Sequence, residues 1–124
     1  SDYVVNLLPL TPATRRLIGE NEFAAMKPSA VFLNFSRGDV VDEQALIRAL
    51  KNGKIRGAGL DVFQTEPLPP DSELWNMENV LITPHSSGFS PNLAEKMFDL
   101  FKRLYITYRS GGEMFNVVNL QKRY

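Results

Sequence analysis

The sequence predicts an α/β protein built on a parallel sheet of about four strands with helices on both faces and a long helix near the carboxyl end. Three observations carry this. Four short apolar runs recur along the 124 residues, at 3–8, 30–35, 57–62 and 80–83. Stretches with helical periodicity lie between them, the pattern of β–α–β units whose strands are buried on both faces. Three of the runs give way directly to a charged or ionisable residue, which is where open α/β sheets collect ligands.

The first run, Tyr-Val-Val-Asn-Leu-Leu, is β-branched and ends at Pro9, so it reads as a buried strand. Thr11-Pro12 then places a cap and a proline at the start of a short helix over 13–18, closed by Gly19. Residues 20–26 read as a further helical turn or two before Lys27-Pro28. The second run is broken by Ser36-Arg37-Gly38. Asp42 stands where an N-cap belongs, and Ala45, Leu46, Ala49 and Leu50 share one helical face up to the stop at Asn52-Gly53.

The third run, Gly-Ala-Gly-Leu-Asp-Val, is a strand whose glycines suggest close packing of a helix or ligand against its backbone. A proline-rich loop covers 65–71, and 73–77 form one helical turn. The fourth strand ends at Pro84-His85. Ser90-Pro91 opens the long helix, with Leu93, Met97, Phe101, Leu104 and Tyr108 on one face and Gly111-Gly112 at its end. An irregular tail follows. Trp75 and the aromatic stripe of the long helix read as core or interface packing.

Composition narrows the function. Hydrophobic residues make up 44% and charged residues 23%, so the chain can bury a core. Fourteen basic residues balance fourteen acidic ones, without the basic excess usual in a nucleic-acid binder. No apolar run is long enough for a membrane span. The chain has no cysteine, which excludes disulfides and thiolate chemistry, and one histidine, which excludes a histidine-cluster metal site. The chain begins Ser1-Asp2-Tyr3, directly on a strand and without an initiator Met, as a piece of a longer protein would.

Pro9, Arg37, Asp61 and His85 fall at the four strand ends. Arg37 offers a permanently charged fork suited to a carboxylate, against the plain reading of a salt bridge or helix-end contact. His85 is a structural histidine or, at the ligand edge, a neutral-pH proton carrier. Glu66, in its proline-bounded loop, is a solvated glutamate or the partner that fixes the His85 ring. Asp61, inside an apolar strand, needs partners: a neighbouring loop or a ligand amide. Asn34-Phe35-Ser36 matches a glycosylation sequon, read as accidental on a buried strand end without a secretory signal.

Taken in order, Leu8-Pro9-Leu10-Thr11-Pro12-Ala13-Thr14, Asn34-Phe35-Ser36-Arg37-Gly38-Asp39-Val40-Val41-Asp42-Glu43, Gly59-Leu60-Asp61-Val62-Phe63 with Glu66-Pro67-Leu68, and Thr83-Pro84-His85 resemble the D-isomer-specific 2-hydroxyacid dehydrogenases. The ending resembles the glyoxylate/hydroxypyruvate reductase A subgroup. The resemblance implies the second half of a Rossmann-type dinucleotide-binding domain. Residues 1–111 would be that part, with the terminal helix, and residues 112–124 a tail packing towards a substrate domain. No G-x-G-x-x-G phosphate loop occurs in the chain, so it is expected to be inactive by itself.

The activity implied is reduction of a small 2-keto acid, such as glyoxylate or hydroxypyruvate, to a D-2-hydroxy acid with NAD or NADP, the subgroup leaning to NADP. The resemblance implies Arg37 as substrate anchor, His85 as acid/base and Glu66 as its support. Leu8, Pro9, Phe35, Ser36, Arg37, Asp61, His85, Ser87 and Gly88 would line the cofactor, with no metal. Phe35 and Ser36 stand where many members carry smaller residues or Thr-Ala. A cytoplasmic homodimer without nucleic-acid or membrane partners is the implied setting. Two other readings are a corepressor-like binding protein on the same fold and an inactive structural fragment.

Overall fold

The computed structural model describes residues 1–121. Four parallel strands, β1 (Tyr3–Asn6), β2 (Val31–Asn34), β3 (Gly57–Leu60) and β4 (Val80–Ile82), lie side by side in chain order. Between them run α1 (Glu20–Ala24), after β1, and α2 (Glu43–Lys51), after β2. Single 3-10 turns occur at Gly38–Val40 and Glu73–Asn76. The register aligns Asn6 with Asn34, Asn34 with Leu60, and Leu60 with Ile82. All four strands therefore end level, and four loops leave the sheet along one line.

Burial follows the two-residue period of the strands. Phe32 and Asn34 are buried while Val31 and Leu33 are partly exposed. Phe32, Ala58 and Leu60 face Phe23 of α1 and Ala45, Leu46, Ala49 and Leu50 of α2 in one core, with Val4, Val80 and Ile82 at its margin. Phe23 meets Phe32 edge-on, ring centroids 5.3 Å apart. Such a pair adds about 0.5–1.5 kcal/mol beyond its buried area. Both helices of this part lie on that face. Tyr3, Val5 and Leu81 are exposed on the other, so residues 1–87 cover one face of the sheet and not both.

The α2 helix forms as its sequence dictates. The Asp42 carboxylate accepts the Ala45 N–H at 3.0 Å, Glu43 sits in the first turn, and Arg48 and Lys51 sit in the last, where the helix dipole favours each sign. Gly53, at φ +62°, takes the left-handed position that stops it. Among the protein's own atoms, the glycines of β3 are approached by neighbouring strand and loop rather than by a helix. A Cβ on Gly57 would lie 2.7 Å from the Asn79 carbonyl oxygen, and one on Gly59 would lie 2.8 Å from a Leu33 methyl.

Residues 13–18 do not form the expected helix. They make successive turns. The Thr11 and Thr14 hydroxyls bond nearby backbone, including the Pro9 carbonyl, and compete with helical hydrogen bonding. Arg16 enters the left-handed region at φ +52°, and its N–H goes to the Asp39 carbonyl. Ile18 bridges Val41 in parallel. Long-range pairing thus replaces the local one. Trp75 is half exposed, its indole N–H donating to the Pro69 carbonyl at 2.9 Å, so it is not a core residue.

The chain divides into two units, Ser1–Ser87 and Gly88–Tyr124. The second holds α3 (Leu93–Arg109). It starts two residues after Pro91, without a side-chain cap from Asn92, and ends where Gly111 adopts φ +68° and the Gly112 N–H reaches the Thr107 carbonyl. Met97, Phe101 and Tyr108 of the expected apolar face are exposed. Phe101 stacks on Tyr105, and the Arg103 guanidinium lies 5.2 Å from the centre of the Phe115 ring. The expected tail, 112–124, runs beyond the described residues at 122–124. No helix among the described residues is long and apolar enough to cross a membrane.

Candidate active site

The loops leaving β1, β2 and β3 are tied down before they reach the site. Asn6 and Asn34, last residues of adjacent strands, are both buried. The Asn6 side-chain amide donates to Asn34 Oδ1 at 3.0 Å and to Ser36 Oγ at 2.7 Å. Asn34 Oδ1 also accepts from the Ser36 N–H and hydroxyl, and Asn6 Oδ1 from the Leu8 N–H. A buried side-chain network of this kind, fully satisfied, fixes one geometry. It holds Leu8 beside β1 and sets the residue before Arg37. Asn34 serves this network and is 2% exposed, a poor glycan acceptor.

Arg37 leaves that anchor in an extended conformation. One guanidinium N–H donates to the Ser36 carbonyl at 2.7 Å, and the rest of the fork has no partner among the described residues. Gly38 follows, packed so tightly on the Phe63–Gln64 peptide that no Cβ fits. Across this contact lies Glu66. Its Oε1 accepts the Phe63 N–H at 3.0 Å, and its Oε2 lies 2.7 Å from His85 Nδ1. Burial alone raises the Glu66 pKa. The His85 hydrogen bond, the Phe63 N–H and the charges of His85 and Arg37 outweigh it, holding the carboxyl below its ordinary range.

Asp61, expected to contact a cofactor, is completely buried, and the chain takes both its oxygens. Oδ1 accepts the Thr83 hydroxyl at 2.5 Å and the Ser86 N–H at 2.9 Å, and Oδ2 accepts the Ser87 N–H at 2.9 Å. Desolvation raises the Asp61 pKa, but the bonds from Ser87, Thr83 and Ser86 reverse this and push it far below the usual carboxylate value. The loop after β4 is thus wrapped on a buried anion. His85 sits within it at φ +51°, its N–H on the Thr83 carbonyl. A left-handed residue with a side chain costs about 1–2 kcal/mol, and it persists where the surroundings over-determine it.

Arg37, Glu66 and His85 line one open cavity of about 210 Å³, with Leu10 and Asp39 beside them. Leu8, Pro9, Phe35, Ser36, Asp61 and Ser87 do not line it; Leu8, Pro9 and Phe35 are exposed at the ends of β1 and β2, while Ser36 is buried. Gly88 belongs to the second unit. Among the described residues no three His, Asp or Glu side chains are grouped to hold a metal. Sequence reasoning missed Asn6, Thr83, Glu43 and Gln64 as site supports. A polar residue closing an apolar strand was the available signal for Asn6; Gln64 offered none.

Level parallel strands, a cation on one loop and an imidazole–carboxylate pair on two others define an α/β domain with its ionisable groups gathered at the carboxyl edge of the sheet. The chain belongs to the D-isomer specific 2-hydroxyacid dehydrogenase family, whose NAD binding domain model matches residues 1–87. It is 44% identical over 119 residues to a glyoxylate reductase of Korarchaeum cryptofilum, covering 96% of this chain and 36% of that protein. Over 85 residues it is 59% identical to glyoxylate/hydroxypyruvate reductase B of Salmonella newport, covering 68% of this chain and 26% of the relative. These curated relatives therefore do not single out the A subgroup expected from the ending.

An NADPH-dependent glyoxylate/hydroxypyruvate reductase from Sinorhizobium meliloti, solved with NADP and sulfate, superposes with a TM-score of 0.92. It is 36% identical, over all of this chain and 40% of that one. The chain spans between about a quarter and a third of the length of the curated relatives it matches.

Proposed function

We propose that this chain supplies the acid–base and substrate-anchoring side of a nicotinamide-dependent reductase of small 2-keto acids. One observation carries the reading: Arg37 and the Glu66–His85 pair face a single cavity sized for a few heavy atoms and water. The relatives named for glyoxylate and hydroxypyruvate reduction support that choice of substrate.

The Arg37 fork binds the keto-acid carboxylate, with its uncommitted N–H groups towards the carbonyl oxygen. Glu66 occupies His85 Nδ1, which leaves Nε2 to hold the proton that the carbonyl oxygen takes up during reduction. Negative charge gathers on that oxygen, so a fixed cation and a proton donor beside it lower the barrier. Reduction adds a hydride to carbon and a proton to oxygen, giving the hydroxy acid; oxidation returns the proton to His85.

The exposed apolar side chains of Leu8 and Phe35, at the ends of two neighbouring strands, fit a flat ring and ribose, and Pro9 extends that surface. They would hold a nicotinamide dinucleotide, NADP by likeness to the reductase solved with it. When bound, the dinucleotide supplies the hydride. Asp61 holds the His85 loop from behind. The test is reduction of glyoxylate, hydroxypyruvate and pyruvate by the full-length protein with NADPH and NADH. D-glycerate from hydroxypyruvate is the expected product. No reduction of any of the three, or the L-isomer, overturns the reading.

A further inference from the structure

We propose that Glu43 and Gln64 form a latch that sets the separation between Arg37 and the Glu66–His85 pair, and so act as positioning residues for the reaction; this rests on reading the cavity as the keto-acid site. The Gln64 N–H donates to Glu43 Oε2 at 3.1 Å, and the Gln64 side-chain amide donates to the Val41 carbonyl at 2.9 Å. One residue thus grips the segment 41–43 through both its main chain and its side chain. Both latch residues are half-buried.

The placement explains the use. Gly38 abuts the same Phe63–Gln64 peptide, too close for any Cβ. Arg37 is the residue before Gly38, and Glu66 stands two residues after Gln64. Contact at this peptide therefore links the segment that carries Arg37 to the segment that carries Glu66, and both segments line the one cavity. Among the described residues, the hydrogen bonds that leave residues 63–67 are those of Gln64 and the bond of Glu66 to His85. Without the latch, the Glu66–His85 ion pair would be the one side-chain hydrogen bond tying residues 63–67 to another segment among the described residues, beside the packing of the buried Phe63, whose N–H binds Glu66 Oε1. The pair's side chains are 35% and 45% exposed, and an exposed pair orders little.

Glu43 also has an ordinary role as an acidic residue in the first turn of α2. That role needs its charge. The latch needs only an oxygen that accepts an N–H, and this separates the two. The charged groups around the Glu66–His85 pair are Arg37 and Asp39, which line the same cavity, and Asp61, behind the His85 loop.

The experiment compares Glu43→Ala, Glu43→Gln and Gln64→Met in the full-length protein. Glu43→Ala and Gln64→Met should each lower kcat/KM for the keto acid roughly tenfold, the worth of about one hydrogen bond, with the KM of the dinucleotide unchanged. The pH at which reduction fails should move down in both, in the sense expected for Glu66→Gln. Glu43→Gln keeps an accepting oxygen and should stay within about twofold of the parent. The double variant should lose no more than the worse single one. An unmoved pH limb in both variants overturns the latch, as does a Glu43→Gln enzyme as poor as Glu43→Ala. If the parent reduces no 2-keto acid, the reading of the cavity falls instead. The latch is then judged by the NMR resonance of the His85 Nδ1 proton, assigned with His85→Gln. Broadening or loss of that resonance in Glu43→Ala supports it, and an unchanged resonance overturns it.

Discussion

His85 Nδ1 and Glu66 Oε2 stand 2.7 Å apart although they belong to loops that leave different strands, and the histidine reaches the glutamate from a left-handed backbone position. Each loop is held from behind. Asp61 binds the Ser86 and Ser87 N–H groups, and Gln64 binds the Val41 carbonyl and the Glu43 carboxylate. The pair is thus a product of two anchored loops rather than of two mobile surface side chains.

The pair should govern the pH dependence. The Glu66 carboxylate lies against the ring at Nδ1, and reduction needs a proton on that ring, so its rate falls as pH rises. Glu66→Gln removes the charge, and the falling limb should move to lower pH. Oxidation of the hydroxy acid should gain over the same range. Because the Glu66 carboxyl is held below its ordinary range, it stays ionised through mildly acid pH and adds no limb there. His85→Gln should abolish most activity, and the double variant should lose little more. pH–rate profiles of the three variants check this; an unmoved Glu66→Gln limb refutes the pairing.

Arg37→Ala should weaken keto-acid use by about 2–3 kcal/mol, roughly 30- to 150-fold in kcat/KM, with a small effect on dinucleotide affinity. Arg37→Lys should recover only part, since an ammonium cannot fork. Steady-state kinetics against glyoxylate, hydroxypyruvate and pyruvate measure it. Unchanged kcat/KM for all three makes Arg37 a structural residue.

Asp61→Asn should destabilise the protein and cut kcat together. The amide that replaces one oxygen turns a donor towards a donor, at a cost of about 1–3 kcal/mol near neutral pH. The sign with pH follows from the lowered Asp61 pKa. Stability from the ionised group is fully present above the ordinary carboxylate value, about pH 4, and is lost as pH falls below it. The gap between parent and variant in urea unfolding should therefore shrink towards acid. A gap of the same size at pH 7 and at pH 3 contradicts the role.

Gly38→Ala should destabilise by about 1–3 kcal/mol, because the methyl has to displace backbone rather than a flexible side chain. Gly88, where an added Cβ meets nothing within 4 Å, is the control, and its alanine variant should change stability by less than about 0.5 kcal/mol. Urea unfolding of both variants decides it. Equal midpoints would show that the Gly38 contact yields freely.

What the sequence could determine by itself was local. Chain order and hydrophobic period place the four strands and α2, because each depends on neighbours a few residues away, as the Asp42 cap on Ala45 and the left-handed Gly53 show. Motif likeness singled out Arg37, Glu66 and His85, and the structure brings them to one cavity. The turns at 13–18 escaped the sequence because two of their backbone donors, those of Arg16 and Ile18, are claimed by Asp39 and Val40, residues of a distant segment. Asp61 was legible as a buried acid in need of partners, but Thr83, Ser86 and Ser87 became those partners only once β3 and β4 paired with Leu60 beside Ile82. The latch between Glu43 and Gln64 was hidden for the same reason. A hydrogen bond needs two atoms within about 3 Å, and for residues so far apart in the chain only the register of a folded sheet brings them there.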